Sequence, residues 1–363
     1  MQRKDRNSNI EWLRIISMLM IVALHYNKNG GGALYASGLL YNLKFGDRHY
    51  LLVWLFESLC LVAVNCYVLI SGWFLSAKAP KPRKLIPIVL QTFLYSVGIY
   101  LIACASGVVE FNLKTMVIFY LFPLIRGEYW FMTVYVVLVL LSPYLNRLIG
   151  TLEKKEHLRL VLASGIILSA IPTVFYFGGD SLGNKDGYSL LWFAFLYILA
   201  AYLRMYPIDF KLPGKHLIYA SIYIIASLLT LGSKLLQNLV LSKEYWNFYK
   251  YNSLTVLAGS VALFLIFVSL PEKHHRLPIV IGSTTLGVFL IHNQYVIRDN
   301  ILWNKIVVPL DYIGGSTLAY LGHFVLSVVG IFVVCSIIDL IRTGIFMAAG
   351  KGIKLLQSRL RRE

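Results

Sequence analysis

An arginine and a histidine stand inside an apolar stretch near the start of the chain. Arg14 and His25 bound the run RIISMLMIVALH, which otherwise has the composition of a membrane-spanning helix. Eleven steps along a helix, at about 100° and about 1.5 Å each, return to within roughly 20° of the same face and rise about 16 Å. The two side chains are therefore predicted to share one helix face, about three turns apart.

Ionisable side chains at membrane depth usually face a bundle interior or a wet cavity, because their exposure to lipid is costly. Each residue alone has a plainer explanation. Arg14 could extend to the near interface, and His25 could be a hydrogen-bonded packing residue. Their common face favours a functional pair that lines one polar path.

The composition excludes a soluble protein. Of 363 residues, 58% are hydrophobic and only 14% are charged, which predicts an all-α integral membrane protein. The net charge of +17 does not indicate nucleic-acid binding, because Lys and Arg lie in short loops between apolar runs. The four cysteines all fall in apolar runs, at spacings that match neither a zinc site nor a redox pair, so no metal is expected.

About ten transmembrane helices are predicted in one domain that spans residues 1–363. The apolar stretches are 10–28, 51–77, 84–106, 129–149, 158–178, 189–206, 216–235, 251–270, 278–298 and 319–345. If both termini are cytoplasmic, 22 Lys and Arg residues lie on the inner side and 11 on the outer side; Arg14, which lies within the first stretch, is not counted. This excess on the inner side favours that orientation. The first stretch is interpreted as a retained helix, and the tail at about 346–363 as a basic cytoplasmic segment.

Other candidate residues are predicted at the outer end of the spans. The run GEYWFMTVY places Glu128, Tyr129 and Trp130 there, and His292 lies in the outer half of the ninth stretch, at the depth of His25. Alternatives stay open, because interfacial aromatic residues are common in membrane proteins and Glu128 could be a solvated loop carboxylate.

The inner ends carry a basic cluster. Arg83 and Lys84 precede the third stretch, where they could bind phosphate or serve as ordinary cytoplasmic flanking charges. Asn65 lies on the second stretch, where small and polar residues often mark close helix packing.

Five segments together resemble the acyltransferase-3 family of membrane acyltransferases. They are RIISMLMIVALH, NCYVLISGWFLS, the basic run Arg83 to Pro87, EYWFMTVYVVLVLLSPYL and LGVFLIHNQYV. The ordered set runs from about residue 8 to about residue 340. The sequence departs from the family's SGF-like motif, since it reads SGW at Ser71 to Trp73.

The resemblance implies a ten-helix enzyme of the bacterial plasma membrane that moves an acyl group, usually acetyl, from cytoplasmic acyl-CoA to a glycan hydroxyl across the membrane. It implies that His25 is catalytic and Arg14 essential, and that Arg83 occupies a basic position near the cytoplasmic mouth. Acetyl-CoA would be the acyl donor, held by Arg14, Arg83 and Lys84. The expected partners are a surface glycan or lipid-linked glycan and membrane lipid, with a homodimer left open.

We expect His25 to act as a general base on the acceptor hydroxyl, because the pKa of imidazole lies near neutral pH. Glu128 or His292 would orient His25 or the acceptor. Tyr129, Trp130 and Asn65 would contact the sugar. A transient acyl-histidine is the competing route. A polysaccharide exporter or flippase of the same family is the alternative function, whereas the lack of obvious repeats disfavours a general secondary transporter.

Overall fold

The fold is described from a computed structural model that covers residues 6–29, 38–77, 82–125, 127, 129–175, 180, 182–207, 214–240 and 246–360. Within these ranges the secondary structure is helical, and no strand occurs. The α-helices are α1 (Ser8–Asn29), α2 (Leu39–Asn42), α3 (Tyr50–Cys60), α4 (Ala63–Leu75), α5 (Ile86–Ala105), α6 (Leu113–Thr115), α7 (Trp130–Thr151), α8 (Lys154–Gly165), α9 (Ile171–Val174), α10 (Leu190–Met205), α11 (Lys215–Val240), α12 (Leu254–Val268), α13 (Arg276–Gly282), α14 (Thr285–His292), α15 (Leu310–Ile313) and α16 (Thr317–Leu360).

Three segments have the wider π-helical hydrogen-bonding pattern. They are Met116–Tyr120, Ile166–Ala170 and Ile297–Ile306. Short 3₁₀ turns form at Pro82–Lys84 and Lys185–Gly187. The predicted all-α membrane architecture is confirmed.

The described residues contain seven helices that are long and apolar enough to cross a membrane, and a bent pair that would make an eighth span. Two further predicted stretches, 189–206 and 251–270, form α10 and α12, of 16 and 15 residues. At about 1.5 Å per residue these helices are shorter than the roughly 30 Å hydrocarbon layer. The count of ten and the cytoplasmic placement of both termini stay predictions.

Helix α1 lies between two hydrophobic cores. Leu13 and Leu24 belong to the first core, which α4, α10 and α12 complete. Ile15, Val22 and Tyr26 belong to the second core, with side chains from α14 and α16. Apolar side chains of the two cores therefore surround much of α1, whereas Arg14 and His25 are only half-buried.

The ninth predicted stretch is a broken span. Helix α14 ends at His292, and the helical segment Ile297–Ile313 leaves at 89° to it. At the break, Gln294 Oε1 accepts hydrogen bonds from the backbone N–H of Val296, at 2.8 Å, and of Ile297, at 3.2 Å. These bonds satisfy two of the donors that a new helix start leaves open. His292 is therefore held at a helix end whose direction is fixed.

A buried carboxylate holds α14 and α5 against α16. Asp339 Oδ1 accepts hydrogen bonds from Arg342 Nε at 2.8 Å, Tyr95 Oη at 2.7 Å and Gln91 Nε2 at 3.0 Å. Gly287 on α14 faces this carboxyl group, and a Cβ atom at Gly287 would lie 2.3 Å from Asp339 Cγ. The close approach of the two helices therefore requires glycine at this position.

The first prediction concerns this contact. Gly287→Ala should lower the stability by about 1–3 kcal/mol, because the added methyl group forces α14 away from α16. The matched control is Gly330→Ala on α16, where a Cβ atom meets no atom within 4 Å. Thermal unfolding of the purified protein, followed by tryptophan fluorescence, measures both. A Gly287→Ala protein that melts at the temperature of the control would contradict the contact.

Candidate functional site

The two candidate histidines contact each other across the bundle. His25 Nδ1 lies 2.8 Å from His292 Nε2, although the residues are 267 positions apart. His292 is fully buried, and its Nδ1 lies 2.5 Å from the backbone oxygen of Val288, one turn earlier on α14. The histidine predicted to orient His25 is thus in direct contact with it.

The hydrogen bonds determine where the protons lie when both rings are neutral. The oxygen of Val288 only accepts, so His292 Nδ1 carries the hydrogen and His292 Nε2 is an acceptor. His25 Nδ1 must then donate to His292 Nε2. A neutral imidazole has a single N–H, so Nε2 of His25 keeps a free lone pair. That nitrogen can accept a proton from a bound hydroxyl group.

Arg14 and His25 line the same cavity, as their spacing predicts. We call it the arginine cavity; its volume is about 320 Å³. Arg6 and Arg14 line the part of the cavity near the first residues of α1. His25 lines the part near the last residues of that helix. Between them the walls are mainly apolar and include Met18, Ile21 and Phe289. The cavity is charged at one end and apolar along its length.

A buried carboxylate positions Arg14. Glu11 Oε1 lies 2.7 Å from Arg14 Nη1 and 3.7 Å from Arg6 Nη1, while its side chain is only 3% exposed. Gly282 of α13 packs directly on Glu11, since a Cβ atom there would lie 2.4 Å from Glu11 Oε2. Tyr67 Oη donates to the backbone oxygen of Arg14 at 2.7 Å. Both the side chain and the backbone of Arg14 are thereby fixed.

A second cavity begins where the first ends. We call it the lysine cavity, after Lys28, Lys234 and Lys250 in its lining; its volume is about 690 Å³. It extends from His25 to Asn29 at the end of α1 and includes Arg298 of the π-helical segment. The two cavities therefore extend toward opposite ends of α1.

Four residues line both cavities and form the wall between them: Leu24, His25, Trp130 and Tyr251. The rings of Trp130 and Tyr251 are stacked, with centroids 6.2 Å apart. Tyr188 packs against both, at 4.4 Å from Trp130 and 4.9 Å from Tyr251. Burial raises the pKa of Tyr188. His25 thus adjoins both cavities beside an aromatic cluster.

Two predicted sugar-contacting residues have their polar groups engaged within the protein. Asn65 Nδ2 donates to the backbone oxygen of Tyr251 at 2.8 Å, and its Oδ1 accepts from Trp192 Nε1 at 3.0 Å. Tyr129 is fully buried, and its hydroxyl group donates to the backbone oxygen of Leu290 at 2.9 Å. Both residues support the cavity walls from behind: Asn65 holds Tyr251, and Tyr129 holds α14.

The other predicted residues are not among those that line the cavities, or they lie outside the described chain. Arg83 and Lys84 are exposed on the 3₁₀ turn before α5, and neither is among the described residues that line the two cavities. Glu128 lies outside the described residues. The structure thus brings together Arg14, His25, His292 and Trp130.

Sequence reasoning missed three contributors. Glu11 is not among the residues predicted from the sequence, although its carboxylate lies beside both Arg6 and Arg14. Glu57 is a buried carboxylate on α3 that accepts a hydrogen bond from Asn27 at 3.1 Å and lines the lysine cavity. Tyr251 precedes α12 and joins the wall. An acidic residue inside an apolar stretch is a signal that could have identified Glu57.

The second prediction tests the protonation pattern. In nitrogen-15 spectra of histidine-labelled protein, His25 and His292 should both give signals of neutral rings protonated at Nδ1, because each Nδ1 donates a hydrogen bond. The variants His25→Asn and His292→Asn assign these signals, and the exposed His275→Asn serves as the control. A His25 signal protonated at Nε2 would refute the arrangement.

Comparison with known proteins agrees with this architecture. The family model described as an acyltransferase domain, Acyl_transf_3, matches residues 7–340. Searches of curated proteins and of solved structures each found no match. The matched range includes all four residues that the structure brings together and nearly every membrane-spanning helix. The chain therefore belongs to the acyltransferase-3 family and is a multi-pass membrane acyltransferase.

Proposed function

We propose that this protein transfers an acetyl group from cytoplasmic acetyl-CoA to a hydroxyl group of a bacterial surface glycan, with His25 as the general base. One observation carries the proposal: His25 stands in the wall that separates two cavities extending toward opposite ends of α1. Donor and acceptor can approach such a residue from different sides, as transfer across a membrane requires.

The arginine cavity suits the donor. Arg6 and Arg14 at its mouth offer guanidinium groups, which bind phosphate oxygens well, to the nucleotide end of acetyl-CoA. The path from Arg14 to His25 spans eleven residues of helix, or about 16 Å, and its apolar walls suit an extended thioester arm. The acetyl group would then lie beside His25.

The lysine cavity would hold the acceptor. A sugar hydroxyl there would give its proton to Nε2 of His25 as its oxygen attacks the thioester carbonyl. The carbon–sulfur bond then breaks, and the leaving thiolate takes the proton back from His25. His292 would accept the hydrogen bond from His25 Nδ1 throughout, stabilising the imidazolium ion that forms between the two steps.

An acyl-histidine route uses the same nitrogen. The hydrogen bond to His292 occupies Nδ1, so acylation of His25 would also take place at Nε2. Both routes place the acyl group at the wall between the cavities. They differ in whether an acyl-enzyme forms before the acceptor binds.

The third prediction tests transfer against export. His25→Ala should lower acetyl transfer by about 100-fold or more, because the general base is lost. The readout is the ester content of the surface polymer together with the amount of polymer exported. The matched control is His275→Ala, whose side chain is exposed. Normal export of polymer that lacks its ester supports transfer, whereas accumulation of polymer inside the cell would favour an exporter.

The fourth prediction tests the donor end. Arg14→Ala should raise the acetyl-CoA concentration for half-maximal activity by about tenfold, because a charge-assisted hydrogen bond to phosphate is lost. Glu11→Gln should have a smaller effect in the same direction, since Glu11 holds Arg14 in place. Arg83→Ala is expected to change this concentration less than Arg14→Ala does. Equal sensitivity at Arg14 and Arg83 would contradict the assignment of the arginine cavity to the donor.

A further inference from the structure

Cationic side chains from four separate parts of the chain converge on the lysine cavity. Lys28 lies at the end of α1, Lys234 on α11, Lys250 before α12 and Arg298 on the π-helical segment. In the predicted orientation this cavity belongs to the outer side, where Lys and Arg are the minority. Topology alone therefore does not account for the convergence.

Neighbouring groups fix several of these cations in place. Arg298 forms a bidentate pair with Asp299, with Nε 2.6 Å from Oδ1 and Nη2 2.8 Å from Oδ2. Lys250 Nζ lies 2.9 Å from Asp186 Oδ2. Among the described residues that line the lysine cavity, neither aspartate occurs, whereas both cations do. Lys250 and Arg298 therefore line the cavity while an aspartate holds each of them in place.

Of the four cationic residues, Lys28 is closest in sequence to His25, whose Nε2 is the proposed base. It follows His25 by three residues on α1, so the two side chains are neighbours on one helix face, and both line the lysine cavity. An anionic group held at Lys28 would bring the adjacent part of the same molecule to His25. Glu57, whose carboxylate accepts a hydrogen bond from Asn27 on α1, also lines the cavity and offers it an acceptor for neutral hydroxyl groups.

From this convergence we propose that the acceptor is an anionic glycan, one whose acylated sugar carries a carboxylate or phosphate group close to the reacting hydroxyl. The inference rests on the proposed function, because it assigns the lysine cavity to the acceptor. The cationic side chains bind the anion, and Trp54 and Trp130 add aromatic surface to the same lining.

Binding by the full-length protein in lipid nanodiscs, without acetyl-CoA, tests the proposal through tryptophan fluorescence. The probes are trigalacturonate and galactotriose, which differ in charge but not in chain length. Trigalacturonate is expected to bind at least about tenfold more tightly than galactotriose. Because salt screens charges, 0.5 M NaCl should reduce this difference in affinity. Equal affinities for the two probes would overturn the proposal.

A third probe distinguishes the two sources of the negative charge. Nanodiscs that contain undecaprenyl phosphate present a lipid-linked phosphate to the same cavity. If this lipid displaces trigalacturonate, the anion is the phosphate of a carrier lipid. If trigalacturonate binds undisturbed beside it, the anion is the carboxylate of an acidic sugar. Either outcome supports an anionic acceptor.

Variants locate the effect in the cavity. Lys28→Gln should weaken trigalacturonate binding about tenfold and leave galactotriose binding unchanged. Lys28→Arg, which keeps the positive charge, should retain most of the affinity for trigalacturonate. The control is Lys305→Gln, an exposed lysine on the same π-helical segment as Arg298. An equal loss for both probes in Lys28→Gln would indicate distortion and overturn the proposal. The assay omits acetyl-CoA and therefore measures acceptor binding alone. If the two probes bind equally to a protein that still transfers acetyl groups, the anionic nature of the acceptor is refuted and the proposed function is not.

Discussion

The hydrogen bond between His25 and His292 is the constraint on which the other features depend. It joins two residues that are 267 positions apart, on α1 and α14. The two ring nitrogens come within hydrogen-bonding distance only because α14 ends at His292 and lies close to α1. The bend after His292 and the glycine contact with Asp339 fix the position of α14 from its two ends. Distant packing therefore determines the protonation of a single ring.

The ionisable residues of α1 stand between two apolar cores, and each has a polar neighbour. Apolar side chains of both cores pack around α1, and the ionisable residues Arg14, His25 and Lys28 are only partly buried among them. Each has a carboxylate or imidazole in its surroundings: Glu11 beside Arg14, His292 beside His25, and Glu57 in the same cavity lining as Lys28. A buried charge without such a neighbour would destabilise the helix.

The sequence predicts the helical membrane fold and the shared face of Arg14 and His25, because apolar length and the helical repeat are local properties. It does not predict which residues support the cavities. Asn65 is predicted to contact the sugar from its own stretch, whereas its hydrogen bonds to Trp192 and to the backbone of Tyr251 depend on remote helices and loops. Arg83 is predicted near a basic mouth by its position along the chain and lies on an exposed turn, whereas Arg6 lines the arginine cavity. Contacts across more than a hundred residues carry no local signal.

The wall formed by Leu24, His25, Trp130 and Tyr251 also bears on permeability. Open cavities on both sides of a membrane leave a thin barrier against the leak of ions and protons, which would dissipate the membrane potential. Here the barrier is only a few side chains thick, and one of them is an ionisable imidazole. The stacked indole and phenol rings of Trp130 and Tyr251 stand beside it in the wall. A side chain that separates two open cavities therefore has a second task, which is to limit the leak of ions between them.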